Sequence, residues 1–293
     1  MMALKNSFFS WIQEYLANNE KAVLFYLDLG WPSVLDVKRK YPQRVINCGV
    51  TETNTLLVAI GLASQGFKVF IYGISQFTLW RPAEIFNLYG KNLKNIAIIG
   101  NGGGFGYGIL GSSHHSIKDY GLLQLSGISA TIFLPRSQDE LLYQLNLFGQ
   151  QNENTFCYYR LINVNESKVK IHPIDSINQH RSGNKATVLS IGPLIQDHFD
   201  PELNVDWFSL GRWPLEENQL KPIERSACKT GKLIIFEEHV WPGSICQFLN
   251  HLWRHKNFAI ITAHPSHYEN LVGNRSYLLE QAGLDIKALK NYV

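Results

Sequence analysis

Glu52 stands where a β-branched run ends and an apolar helical run begins. Arg44-Val45-Ile46-Asn47-Cys48-Gly49-Val50-Thr51-Glu52-Thr53-Asn54 reads as a strand and turn, and Thr55-Leu56-Leu57-Val58-Ala59-Ile60-Gly61-Leu62-Ala63 as a buried helix. A carboxylate there is placed for proton chemistry, because ligands of open α/β sheets collect outside the carboxyl ends of the strands. The same position suits a structural acid that satisfies the free N–H groups of a helix N-terminus.

A second candidate is Gly100-Asn101-Gly102-Gly103-Gly104-Phe105-Gly106-Tyr107-Gly108-Ile109-Leu110-Gly111, which follows an apolar run and closes on His114-His115. So many glycines imply tight turns and backbone lying close to a partner. Gly106, Gly108 and Gly111 match GxGxxG, but they do not join a strand directly to an amphipathic helix. Leu134-Pro135-Arg136 also stands where the acid of a dinucleotide site would end the next strand, so that site is disfavoured. Phe236-Glu237-Glu238-His239 has the composition of a metal or acid/base cluster. Neighbours on a strand face opposite sides, however, so Glu237 and Glu238 cannot both address one site without a bend, and no catalytic role is assigned. Cys48, Cys157, Cys228 and Cys246 lie far apart without a CxxC pair, as reduced thiols rather than zinc ligands.

The elements that must position these residues alternate. Strand-like runs at Ala22 to Asp28, Arg44 to Val50, Lys68 to Gly73, Asn95 to Gly100, Ser129 to Leu134 and Thr155 to Arg160 are separated by helix-length segments. That order predicts an α/β fold with right-handed crossovers and a parallel sheet. A polar, poorly periodic stretch over 164–185 reads as a connection between a first domain, 1–163, and a second, smaller α/β domain, 186–293. In the second domain Ala186 to Ile191, Val205 to Leu210, Lys232 to Phe236 and Asn257 to Thr262 are the expected strands.

With 293 residues, 45% of them hydrophobic and only 17% charged, the chain can build two ordinary globular cores. A formal charge of +3 spread over separated lysines and arginines excludes the concentrated basic face of a nucleic-acid binder. No apolar run reaches membrane-spanning length, and Glu14 interrupts the N-terminal apolar segment, so a soluble, cytoplasmic protein is expected.

Three segments in this order resemble the transketolase family: Glu52 within Gly-Val-Thr-Glu-Thr-Asn, the run Phe77-Thr78-Leu79-Trp80-Arg81-Pro82, and the glycine-rich loop ending in His114-His115. The chain resembles the C-terminal half of these enzymes, the pyrimidine-binding domain plus the C-terminal domain, and in particular the second subunit of split, two-gene transketolases. The likeness runs from Leu27-Asp28-Leu29-Gly30 to Tyr277-Leu278-Leu279-Glu280-Gln281-Ala282-Gly283. It implies a thiamine diphosphate cofactor, with Glu52 as the activating acid on the aminopyrimidine ring and Phe77 and Trp80 as the aromatic wall on which that ring stacks. Asp28 falls near the cofactor. His114 is implied at the reaction centre, with His115 and Arg160 as further substrate contacts. The family's acidic segment at Glu237-Glu238 is commonly found at subunit contacts.

The chain departs from the family in ways that bear on substrate and assembly. Gly102 stands where a phosphate-holding histidine is expected, Asn163 replaces an arginine, and Leu110 replaces an aspartate that reads a substrate hydroxyl. The expected acceptor is therefore not a standard phosphorylated sugar, and the expected setting is biosynthetic. The Gly-Asp-Gly and distant Asn that bind Mg²⁺ and the diphosphate are absent from the sequence. No metal ligand is assigned in this chain, and the resemblance implies a partner subunit that carries the Mg²⁺ and diphosphate domain, in an α2β2 assembly. Two other readings share the fold: the β subunit of a 2-oxo acid dehydrogenase E1 component, and a non-catalytic scaffold.

Overall fold

Ala22–Tyr26 (β1) is apolar at every position and buried at every position, as a central strand covered on both faces must be. In the computed structural model, which describes residues 4–29, 32–150, 155–162, 169–266 and 268–293, it lies inside a seven-stranded sheet. The other strands of the first half are Val45–Asn47 (β2), Lys68–Ile74 (β3), Ile96–Asn101 (β4), Ala130–Phe133 (β5) and Phe156–Leu161 (β6). The second half contributes Ile177–Arg181 (β7), Thr187–Ile191 (β8), Asp206–Leu210 (β9), Arg212–Trp213 (β10), Lys232–Phe236 (β11) and Ala259–Ala263 (β12).

The first sheet has the order β10-β5-β6-β4-β3-β1-β2 and the second β12-β11-β8-β9-β7. All pairings within β1 to β6 are parallel, as are those joining β8, β9, β11 and β12. The alternation of strand and helix in the sequence thus becomes two α/β sheets.

Two edge strands depart from the sequence reading. Ile177–Arg181, expected within the connection, is the antiparallel edge of the second sheet, paired with β9 through a register shift between Gln179 and Arg181. Its composition, Ile-Asn-Gln-His-Arg, is too polar and its ladder too irregular to show a period of two. Arg212–Trp213 leaves the second half and pairs antiparallel with β5, as the edge of the first sheet. Two residues are too few to carry a pattern. Gly30, Asn163 and the remainder of 163–168 lie outside the described residues.

The halves share apolar interior. One buried cluster runs from Phe25 and Ile71 of the first sheet through Trp213 to Leu189 and Ile235 of the second. A second cluster, including Phe8, Trp11 and Ile12 of the helix Leu4–Asn18, covers the other face of the first sheet around Phe70 and Tyr72. Among the described residues no helix is long and apolar enough to cross a membrane.

Candidate active site

The segments that follow the carboxyl ends of β1, β2, β3 and β4 carry the candidate residues of the first half. After β1, Asp28 takes a left-handed backbone (φ 51°) and is exposed. Its amide donates to Asn47 Oδ1, and Asn47 Nδ2 donates to Asp28 Oδ1, both at 3.3 Å. Asn47 ends β2, and its Oδ1 also accepts the amide of Gly49 at 2.9 Å. Gly49 has φ 63°, which a side chain would resist, so the chain turns sharply there. Thr51 Oγ1 donates to the Cys48 carbonyl at 2.7 Å and closes the turn. The helix Glu52–Ser64 then starts on Glu52 itself.

Glu52 is 6% exposed, and its carboxylate is engaged by a side chain. Arg81 Nη1 sits 2.7 Å from Oε1 and 2.8 Å from Oε2. Arg81 follows the helix Ser75–Trp80, which β3 feeds directly and which carries Phe77 and Trp80. The guanidinium carbon lies over the Phe77 ring, 4.3 Å from its centre, a cation–π contact. Phe77 in turn meets the imidazole of His114 edge-on, with centroids 5.0 Å apart and an angle of 71° between planes. Glu52, Arg81, Phe77 and His114 therefore form one continuous cluster assembled from three strand ends. Trp80 is 40% exposed, and no ring contact joins it to Phe77 among the described residues.

The glycine-rich loop brings His114 into place. Gly102 and Gly104 adopt left-handed backbones (φ 73° and 61°), and Gly104 exchanges backbone hydrogen bonds with Ser116 at 2.9 and 2.8 Å, which pinches the loop shut at its base. His114 is half-buried, with Nδ1 3.0 Å from Ser113 Oγ. The neighbouring His115 packs into the interior. Its ring is buried edge-on against Phe105 at 5.2 Å, neither nitrogen reaches a partner with good hydrogen-bond geometry, and burial pushes its pKa below the ordinary histidine value. The space above Gly102 is filled by the ring of Tyr107, whose hydroxyl accepts from Asn101 Nδ2 at 2.5 Å. Leu110 is exposed.

Arg160, expected as a substrate contact, is committed inside the chain. Only 3% exposed, it donates from Nε to Asp119 Oδ2 at 2.7 Å and from Nη2 to the carbonyls of Ser116 and Glu238 at 2.6 and 2.8 Å. Tyr158 donates to the same Asp119 oxygen at 2.7 Å. A guanidinium so occupied is a strut between the glycine-rich loop and the second half. The Glu237-Glu238-His239 segment lies in the same buried region, at an interior junction of the chain. Glu237 accepts the amides of Ile245 and Cys246 at 2.9 and 2.6 Å and the hydroxyl of Tyr120. Glu238 faces the loop and accepts the Phe105 amide at 2.7 Å. Among the described residues no group of three or more His, Cys, Asp or Glu could hold a metal ion.

Sequence reasoning named Glu52, Phe77 and His114, which the structure brings together. It gave no role to Arg81, although an arginine directly after the aromatic pair, at the end of their helix, was the available signal.

A buried carboxylate, an aromatic face and an imidazole meet at one edge, groups suited to bonding and stacking a planar, nitrogen-bearing ring, and Arg81 occupies the first two. Residues 1–160 match the family described as "Transketolase, pyrimidine binding domain". The chain is 25% identical over 252 residues to one of the subunits of the apulose-4-phosphate transketolase of Phocaeicola vulgatus, covering 82% of this chain and 80% of that one. It is 28% identical over 223 residues to the corresponding apulose-4-phosphate transketolase chain of Actinobacillus succinogenes, covering 71% and 69%. In fold it superposes on a split gene transketolase described as an inactive beta4 tetramer, with a TM-score of 0.76, 18% identity and 99% and 97% of the two chains covered. The transketolase of Campylobacter jejuni gives a TM-score of 0.74 at 16% identity, and there the chain spans 46% of the longer protein. The chain belongs to the transketolase family, as the pyrimidine-binding and C-terminal part of a split transketolase-type transferase.

Proposed function

We propose that this chain is the aminopyrimidine-activating half of a two-chain, thiamine diphosphate-dependent transferase of two-carbon ketol or acyl units, working in the cytoplasm in a biosynthetic reaction. The observation that carries the reading is the cluster of Glu52, Phe77 and His114 at one sheet edge. Bound there, thiamine diphosphate supplies a carbon nucleophile that accepts and returns the two-carbon unit. Glu52 hydrogen-bonds the aminopyrimidine ring nitrogen. Phe77 carries the ring, and Trp80 and Asp28 line its surroundings. His114 hydrogen-bonds substrate oxygen or moves a proton to it.

The Mg²⁺ and diphosphate ligands belong to an N-terminal partner subunit, giving an α2β2 complex in which the cofactor bridges two chains. The two-chain arrangement is supported by the relatives' names, which describe them as subunits.

The acceptor is not held through phosphate by this chain. Tyr107 fills the space above Gly102, and Leu110 offers no hydrogen bond to a sugar hydroxyl. Both relatives are named for a phosphorylated sugar, so the acceptor is the part of the reading to test first. The complex of this chain with its partner would be assayed for two-carbon transfer to matched phosphorylated and unphosphorylated aldehydes, alongside Glu52→Ala. Activity that Glu52→Ala abolishes, with the unphosphorylated member of each pair preferred, is expected. Xylulose 5-phosphate and ribose 5-phosphate outperforming every unphosphorylated pair would overturn the acceptor reading. Full activity in Glu52→Ala would favour a scaffold.

A further inference from the structure

A carboxylate as enclosed as that of Glu52 needs a partner, and the chain supplies one from a residue that is itself far from enclosed. The Glu52 side chain is 4% exposed and that of Arg81 43%. Arg81 uses one guanidinium nitrogen for both carboxylate oxygens and lays its planar group over Phe77. These are the two features that the proposed function offers to an aminopyrimidine ring: an acceptor for a ring N–H and an aromatic face. One face of Phe77 cannot carry two planar groups, and both Glu52 oxygens are already engaged by Arg81.

Glu52 and Phe77 are fixed. The first opens a helix behind a hydrogen-bonded turn, and the second is wedged against His114. The Arg81 backbone is fixed too, because its carbonyl accepts from Thr53 Oγ1 at 3.1 Å. Only the half-exposed Arg81 side chain has somewhere to go.

We propose that Arg81 is a displaceable placeholder, which pairs Glu52 and covers Phe77 in the cofactor-free chain and leaves both when the aminopyrimidine ring arrives. The inference rests on the cofactor site proposed above. Its consequence is a competition: cofactor affinity is reduced by whatever the Arg81 contact contributes. For a partly exposed ion pair that is about fivefold. In exchange, the buried carboxylate is never left unpaired before assembly.

The test is equilibrium binding of thiamine diphosphate at fixed Mg²⁺ to the complex of this chain with its partner, measured by calorimetry, for the wild type, Arg81→Ala, Arg81→Met and Glu52→Ala. Melting of the four chains without cofactor is recorded beside it. Removing the placeholder is expected to tighten binding about fivefold while lowering the melting temperature of the free chain, and Glu52→Ala is expected to weaken binding. Arg81→Met keeps an unbranched stem and serves if the alanine variant does not fold. If Glu52→Ala weakens binding but both Arg81 variants bind equally or more weakly than the wild type, the placeholder is wrong and the cofactor site stands. If the wild-type complex binds no cofactor, or Glu52→Ala binds as the wild type does, the site reading fails and the placeholder with it.

Discussion

Glu238, from the second half of the chain, accepts the backbone amide of Phe105 in the glycine-rich loop at 2.7 Å. Arg275 donates to both oxygens of the same carboxylate, at 3.2 Å from Nε and 2.7 Å from Nη2, and to Asp197 at 2.7 Å. The second half therefore grips the loop that carries His114. A Cβ on Gly104 would collide with the Glu238 carboxylate, so the loop's left-handed glycine is also what lets the grip form.

Removing that grip should loosen the loop. Glu238→Ala leaves Arg275 with Asp197 as its carboxylate partner and removes the second one, at a cost of about 1–3 kcal/mol. The Phe105 amide loses its acceptor at the same time. We expect a lower melting temperature and faster hydrogen exchange at Phe105. An amide that exchanges at the wild-type rate in a folded Glu238→Ala variant would show that the carboxylate does not hold the loop.

The Asp119–Arg160 pair makes a related prediction with a built-in control. Both side chains are buried, and Asp119 also accepts from Tyr158. Arg160→Ala should cost about 3–5 kcal/mol, because it strands a buried carboxylate. The double variant Asp119→Leu, Arg160→Met removes both charges and should recover part of that loss. Denaturant unfolding of the single and double variants measures the coupling. A double variant no more stable than Arg160→Ala would mean that hydrogen bonds to the Ser116 and Glu238 carbonyls, rather than charge pairing, set the cost.

How much of this was legible beforehand depended on the length scale of the signal. Strands such as β1, β4, β8 and β11 were readable because each is a buried, nearly continuous apolar run, and β7 and β10 were missed because one is polar and the other has two residues. Glu52 was readable because a strand, a glycine turn and a helix surround it in sequence. Phe77 and His114 were placed beside it through the order of motifs, since nothing local says that residues so far apart meet. For Arg160 and His115 the sequence offered no such guide to the side chain's surroundings. The Arg160 side chain is held by Asp119 and the His115 ring packs against Phe105, partners that sequence spacing does not connect to them.

Acid should destabilise the fold through two imidazoles, the buried His239 and the half-buried His180. His239 donates from Nδ1 to the Val240 carbonyl at 2.7 Å and accepts the Gly121 amide on Nε2 at 3.3 Å, so the ring is neutral. Burial holds its pKa below the ordinary value. Burial, with Arg136 and His172 nearby, pushes His180 down to about 4. In the unfolded chain both titrate near about 6.5. As pH falls from about 6.5 towards about 4, the unfolded state takes up protons that the folded state refuses, so stability present above about pH 6.5 is lost, by up to about 1.4 kcal/mol per pH unit for a fully buried ring. Melting temperature should decline over that window, and His180→Gln should make the decline shallower. Parallel wild-type and His180→Gln profiles would remove His180 as a source.

Gly102 and Tyr107 should be strongly non-additive. Gly102 sits at φ 73°, and a Cβ there would enter the Tyr107 ring. Gly102→Ala therefore carries two penalties: about 1–2 kcal/mol for a left-handed alanine, and a steric part that ends when the ring is removed. In the double variant Gly102→Ala, Tyr107→Ala only the backbone part should remain on top of the Tyr107→Ala loss, so the sum of the single effects should exceed the double effect. Chemical denaturation of the three variants gives the coupling. Simple additivity would mean that Tyr107 is not packed over Gly102, and would reopen the space in which the rest of the family is expected to hold phosphate.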